Sequence, residues 1–405
     1  MEKSGPLQNL SGTKGETMDF VTELGLRPVV NAVGPATRLG GLPLSDGVLE
    51  AMRTASERNV RMDELQEAAG ARLAQLLGVP AVYVTSGASA GLTLATAVCV
   101  AGDDLAQADA LPHILGSRRR VLVQRGHRDP YDHALTVAGV TLTEIGFVGS
   151  TRPSELESEL DGTVAAVLWR PVPTRDLLSL GTVAGLAHKV GVPVIVDAAM
   201  DVPPVSRLQD LFVAGADLVV VSGGKGFRGP HTSGLLCGSP KLVRAVPVHH
   251  LDMDIREQTW AASEITGASP RFGRHGIGRG MKIGREQIVG LLAAVEEYVA
   301  DPLRHAARYE AELTAIEAGL AGDSRLAVRR AHNERLWVPE LCIDVSEAGV
   351  PGDAVVRALE GGEPRIHVAE DEAWRGVLVV NPMGLREGEG ALIAARLREI
   401  CAARS

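Results

Sequence analysis

Asp197 closes the apolar run PVIVD at 193–197, and Lys225 follows the next apolar run in VSGGKG at 221–226. Both groups therefore stand at the carboxyl ends of predicted strands, where open α/β sheets bind ligands. A carboxylate in a low-dielectric pocket keeps a ring nitrogen protonated, and an amine beside it condenses with an aldehyde to an imine. Gly223, Gly224 and Gly226 let the backbone come close to such a ligand. A third piece, TSGASAG at 85–91, leads from a strand-like run into an apolar helix. Its backbone N–H groups, with a serine hydroxyl, form a cup for a phosphate. Taken singly, each piece has a plain structural reading: a capping Asp, a solvated Lys, a Ser-Gly turn. Their order along the chain joins them into one ligand site.

The scaffold that must position these groups is legible in the hydrophobic pattern. Five apolar runs, at 81–85, 121–124, 164–169, 193–197 and 217–221, alternate with helix-like segments. Continuous rather than alternating hydrophobicity marks strands buried on both faces of a parallel sheet, joined by right-handed crossovers. The pattern changes near residue 284. A long helix is predicted over 286–320, broken or bent near Pro302, followed by strands at 336–345 and 377–381 and helices at 353–359 and 387–403. The expected organisation is an N-terminal arm (1–30), a large α/β ligand-binding domain (31–284) and a smaller α+β domain (285–405).

Composition narrows the partners. The 405 residues carry a net charge of -9, and the basic cluster Arg118-Arg119-Arg120 is too short to track a nucleic-acid backbone. No apolar run reaches the ~18 residues of a spanning helix. The N-terminus lacks the apolar stretch of a signal peptide. Cys99, Cys237, Cys342 and Cys401 are dispersed and read as reduced thiols, so a cytoplasmic protein is expected. His249-His250 with Asp252 and Asp254 lacks the helical His spacing of a catalytic metal site, and no metal is expected. The glycine-rich stretches match neither a Walker loop nor a dinucleotide fingerprint.

The chain resembles the fold-type I pyridoxal 5'-phosphate (PLP) enzymes, within them the branch of bacterial L-seryl-tRNA(Sec) selenium transferase and D-glucosaminate-6-phosphate ammonia-lyase. The stretches that carry the resemblance are VNAVGPATRLGG at 30–41, MDELQ at 62–66, VTSGASAG at 84–91, SGGKGFRGP at 222–230 and GRGMKIG at 278–284. The resemblance implies an aspartate aminotransferase-like fold with a mostly parallel central sheet. It makes Lys225 the Schiff-base lysine and Asp197 the partner of the pyridine nitrogen. Ser86, Gly87 and Ala88 match the phosphate cup, and Ser222 a further phosphate ligand. His127, in GHRDPY at 126–131, matches the ring that stacks on the cofactor and reaches the substrate. A guanidinium should anchor the substrate carboxylate: Arg365 is the first choice, with Arg274 and Arg279 in reserve.

The implied activity is chemistry at the α-carbon of an unusual amino acid, through an external aldimine and a quinonoid. An amino-acid lyase is the first reading. An oxygen-dependent oxidative decarboxylase or an epimerase is the alternative, and a non-catalytic binding module the third. A homodimer is implied. Binding of tRNA is not, since the chain has neither the charge nor the extra N-terminal region of the transferase.

Overall fold

The computed structural model describes residues 20–172, 176–251 and 275–402. Among the described residues, five of the twelve strands lie outside the main sheet: β1 (Val29–Ala32), β9 (Ala327–Asn333), β10 (Val338–Asp344), β11 (Arg365–Val368) and β12 (Val377–Val380). The main sheet holds β2 (Val82–Thr85), β3 (Arg120–Gln124), β4 (Thr141–Ile145), β5 (Val164–Trp169), β6 (Val194–Asp197), β7 (Leu218–Ser222) and β8 (Gly234–Gly238). Its order is β2-β8-β7-β6-β5-β3-β4, and β8 runs antiparallel to both of its neighbours while the other pairings are parallel.

The unbroken apolar runs are explained by two cores, one on each face of this sheet. Val194, Val196, Val219 and Val221 face one core. Ile195, Leu218, Val220 and Leu168 face the other. With both faces covered, every position along a central strand is apolar. The five predicted strands are present, within a residue or so of their expected ends. Two strands escaped the hydrophobic pattern. β4 is an edge strand, TLTEI, with only Ile145 buried. β8 is a five-residue stretch that begins and ends in glycine and carries no strand signal.

The described residues form two units. The larger takes in Gly34–Ala311 and Arg330–Glu340; the smaller takes in those up to Val33, Glu312–Arg329 and those from Leu341 onward. In the smaller unit β1 pairs in parallel with β11, Val29 opposite Arg365, over a core that includes Leu313, Leu341, Ile366 and Leu378. The helix expected over 286–320 is two helices, Arg285–Ala300 and Ala306–Leu320. Pro302 has no N–H to continue the first, and the ring obstructs the preceding turn. The four cysteines are free, and Cys99, Cys237 and Cys401 are buried. Among the described residues no helix is long and apolar enough to cross a membrane.

Candidate active site

The carboxyl ends of β3, β5, β6 and β7 bring the candidate groups together. β3 ends at Gln124, whose side chain accepts from Leu178 N–H at 2.7 Å and donates to Leu178 carbonyl at 3.1 Å. The 3-10 turn that follows buries His127, which is 2% exposed. Its ring meets Trp169 edge-on, with centroids 5.5 Å apart and planes at 85°. Nδ1 faces the Arg170 backbone N–H and the Gln124 amide nitrogen, each at 3.4 Å. Two donors on Nδ1 leave the ring proton to Nε2. Burial, with the charge of Arg170, pushes the imidazole down to about 4. The ring is therefore neutral and flat, as a stacking partner should be.

A neutral buried histidine has a consequence for stability. The folded value lies below the ordinary 6.5, so the unfolded chain takes up the proton first as pH falls. The contribution is complete above pH 6.5 and is lost progressively between 6.5 and about 4. His127→Phe should reduce the pH slope of the urea midpoint in that window by about one proton's worth. A slope identical to that of the parent protein would show that His127 is protonated in the folded state.

Arg170 was not singled out by sequence, and it organises the site. It follows β5 directly and is 5% exposed. Nε donates to Asp197 Oδ2 at 2.9 Å, while Nη1 donates to Asp132 Oδ1 at 2.8 Å and to the His127 carbonyl at 2.5 Å. Burial works against its charge, and Asp197 and Asp132 outweigh it, holding the guanidinium above the usual arginine range. Asp132 Oδ2 also accepts from Arg128, which in turn pairs with Glu144. Nη2 of Arg170 is buried and has no hydrogen-bond partner. The missed signal was a charged residue directly after a strand buried on both faces, where it survives only if paired.

Asp197, at the end of β6, uses Oδ1 to accept from Ala199 N–H at 3.2 Å. Lys225 sits in the turn after β7. Glycine is required beside it, because a Cβ on Gly226 would lie 1.9 Å from Pro203 Cδ and one on Gly224 would lie 2.7 Å from His231 Cα. Burial holds the Lys225 amine below the usual lysine range against the pull of Asp197, and Arg335 adds to the lowering. Arg335 itself grips Asp201 through Nε at 3.0 Å and Nη2 at 2.9 Å.

The cup lies at the start of the helix Ala88–Ala101. Gly87 precedes it at φ 122°, no side chain caps it, and the space where a Cβ on Gly87 would go is open. Thr85, Gly234 and Ser222 are in register across β2, β8 and β7. Ser222 thus stands two strand spacings, about 10 Å, from Thr85, with Gly234 between them lying close against Gly87 and Ala88. The Ser86 hydroxyl donates to the Met281 carbonyl at 2.7 Å, so Ser86 offers the cup its backbone. Uncapped helix N–H groups for a phosphate, a lysine amine of lowered basicity and a carboxylate braced by a buried guanidinium with one free nitrogen together fit PLP.

Arg365 is exposed at the start of β11 in the smaller unit, its backbone N–H bonded to the Pro28 carbonyl at 3.2 Å. Arg279 lies in the 3-10 turn Ile277–Met281. Arg274, Asp252 and Asp254 lie outside the described residues. His250 bonds Tyr83 hydroxyl at 2.8 Å and the Met281 carbonyl at 3.0 Å, and His249 the Gly102 carbonyl at 2.7 Å. Both rings are structural bridges.

No family model matches the chain. Known proteins do. It is 31% identical to 5'-C-glycyluridine monooxygenase-decarboxylase of Streptomyces sp, over 96% of this chain and 93% of that one. It is 30% identical to D-glucosaminate-6-phosphate ammonia lyase of Salmonella typhimurium, over 95% and 98%. L-seryl-tRNA(Sec) selenium transferase of Solidesulfovibrio magneticus is 28% identical over 59% of this chain and 55% of its own. Among solved structures, a D-glucosaminate-6-phosphate ammonia-lyase superposes with a TM-score of 0.77 at 29% identity, covering 96% of this chain and 99% of that one. A cysteine desulfurase from Escherichia coli, at TM-score 0.53 and 16% identity over 96% and 99%, shares the fold. Because the likeness spans nearly the whole chain and the lysine, aspartate and phosphate cup stand together at the strand ends, the chain belongs to the fold-type I PLP-dependent enzymes, in the family of D-glucosaminate-6-phosphate ammonia lyase and L-seryl-tRNA(Sec) selenium transferase.

Proposed function

We propose that this PLP-dependent enzyme is an amino-acid lyase that breaks bonds at the α- and β-carbons of an unusual amino acid. The observation that carries the reading is the Lys225 amine, buried at the carboxyl end of β7 with its basicity lowered. Such an amine serves first as the covalent tether and then as the base that takes the α-proton. Bound PLP supplies an electron sink for the pair left on the α-carbon. Asp197 holds the proton on the ring nitrogen, and Arg170 keeps Asp197 in place. His127 restrains the cofactor ring by stacking and presents Nε2–H to the substrate. The N–H groups of Ser86, Gly87 and Ala88 hold the phosphate, with Ser222 nearby. Arg365 anchors the substrate carboxylate, and the active form is a homodimer.

The full-length likeness to an ammonia lyase supports elimination. A second reading, oxidative decarboxylation, is favoured by the 31% identical relative named as a monooxygenase-decarboxylase. The two readings differ in which bond at the α-carbon would be broken, the bond to hydrogen or the bond to the carboxylate. Incubating the holoenzyme with a panel of amino acids, while following ammonia release, oxygen uptake and α-proton exchange, separates them. Ammonia release without oxygen uptake is expected. Oxygen uptake matched to loss of carbon dioxide would replace the lyase reading with the second.

A further inference from the structure

Three arginines and a histidine gather where the helix Ala306–Leu320 begins. Arg228 Nη1 donates to the Tyr309 hydroxyl at 3.0 Å, and Nη2 donates to the Pro43 carbonyl at 3.2 Å. His305 stacks on the Tyr309 ring with centroids 6.0 Å apart, and Arg308 Cζ lies 5.5 Å from the same ring. Nε and Nη2 of Arg308 are buried and have no hydrogen-bond partner. Arg304 pairs with Glu297.

This charge stands in an unfavourable place. The N-terminus of the helix Ala306–Leu320 is the positive end of its dipole, which favours anions and disfavours cations. Its first turn holds no acidic residue. His305 and Arg308 occupy that end instead. Burial, followed by Arg228, Arg308 and Arg304, pushes His305 down to about 4, and Asp301 opposes them. Arg228 adds a backbone cost. It sits at φ 56°, a left-handed conformation that glycine adopts freely and a long side chain does not. A guanidinium kept at such a position points to a demand for it. Its backbone N–H bonds the Lys225 carbonyl at 3.0 Å, so the cluster abuts the turn that carries the catalytic lysine.

We propose that Arg228, His305 and Arg308 form a second phosphate-binding site, separate from the cup at the Ala88 helix, for the phosphate of a small phosphomonoester or for free phosphate. Two guanidinium groups balance a dianion. The unpaired Nε and Nη2 of Arg308 form the parallel fork that takes two oxygens of one phosphate. The helix N-terminus adds to the attraction. Phosphate binding would also raise the basicity of His305, so binding should be accompanied by proton uptake in acid solution.

The test titrates holoenzyme, whose cup is filled by the cofactor's own phosphate, with inorganic phosphate in chloride buffer by calorimetry. The parent protein should bind, and Arg308→Gln should weaken binding on the order of tenfold or more, with an unchanged cofactor spectrum and melting temperature. Arg308→Lys should recover part of the loss, which guards against a folding defect. Adding O-phospho-L-serine distinguishes the source. Displacement of phosphate with a shift of the cofactor absorbance places the phosphate on the substrate; displacement without a shift makes it a separate ligand. The proposal fails if the parent protein does not bind phosphate, or if Arg308→Gln binds it equally well. It also fails if Arg308→Gln only dissociates the oligomer, which would give the cluster to a carboxylate of a second copy.

Discussion

Lys225→Ala is expected to give a folded protein that lacks the visible absorbance of the cofactor imine and has no measurable turnover. In the proposed reading the amine is both tether and base, and loss of acid–base assistance alone costs about 100- to 10,000-fold. Losing the covalent attachment adds to that. Stability should change little, because burial already disfavours the charged amine and its removal relieves that cost. Lys225→Arg separates loss of charge from loss of chemistry: it keeps a cation near Asp197 but can neither form the imine nor accept a proton. Spectra of both variants, recorded after adding PLP and again after dialysis, check the assignment. A retained visible band in Lys225→Ala would mean that another lysine is the tether.

Arg170→Gln should be the most destabilising single change in the site. It leaves Asp197 and Asp132 buried without the guanidinium that both of them face at under 3 Å. Breaking a buried pair by removing one partner costs about 3–5 kcal/mol. Arg170→Lys should recover only part of this, since one ammonium cannot serve Asp197, Asp132 and the His127 carbonyl together. The pH dependence gives an independent sign. Burial works against the Asp132 carboxylate, but Arg128 and Arg170 overcome it and hold the group below the usual aspartate range. Its contribution is present above the ordinary 3.8 and is lost as pH falls through the lower folded value. Arg170→Gln should shrink that acid-side loss while lowering stability at neutral pH. Urea midpoints at pH 7 and pH 3.5, with PLP affinity by fluorescence, read both effects. A midpoint unchanged at pH 7 would remove Arg170 from its bracing role.

The central strands were legible because both faces of each are covered, so β5, VAAVLW, reads as an unbroken apolar run. β8 was not, because five residues with a glycine at each end give no period, and its place beside β2 brings Gly234 close against Gly87. β4 failed for the opposite reason: as an edge strand with one buried residue it carries a weak pattern. The break between the helices Arg285–Ala300 and Ala306–Leu320 was foreshadowed by Pro302, whose ring ends a helix whatever surrounds it.

The same division runs through the site. By itself the sequence singled out Lys225 and Asp197 as candidate tether and ring partner, because an amine and a carboxylate at the ends of buried strands declare their chemistry locally. The glycines around Lys225 were legible for the same reason. Only the tertiary structure decided that Arg170 binds Asp197 and Asp132, that Ser222 stands in register with the cup through Gly234, and that Arg228 meets Tyr309. These groups come from separate strands, turns and helices, and their energies depend on burial and on distances of about 3 Å between side chains. No local pattern encodes those distances; packing sets them.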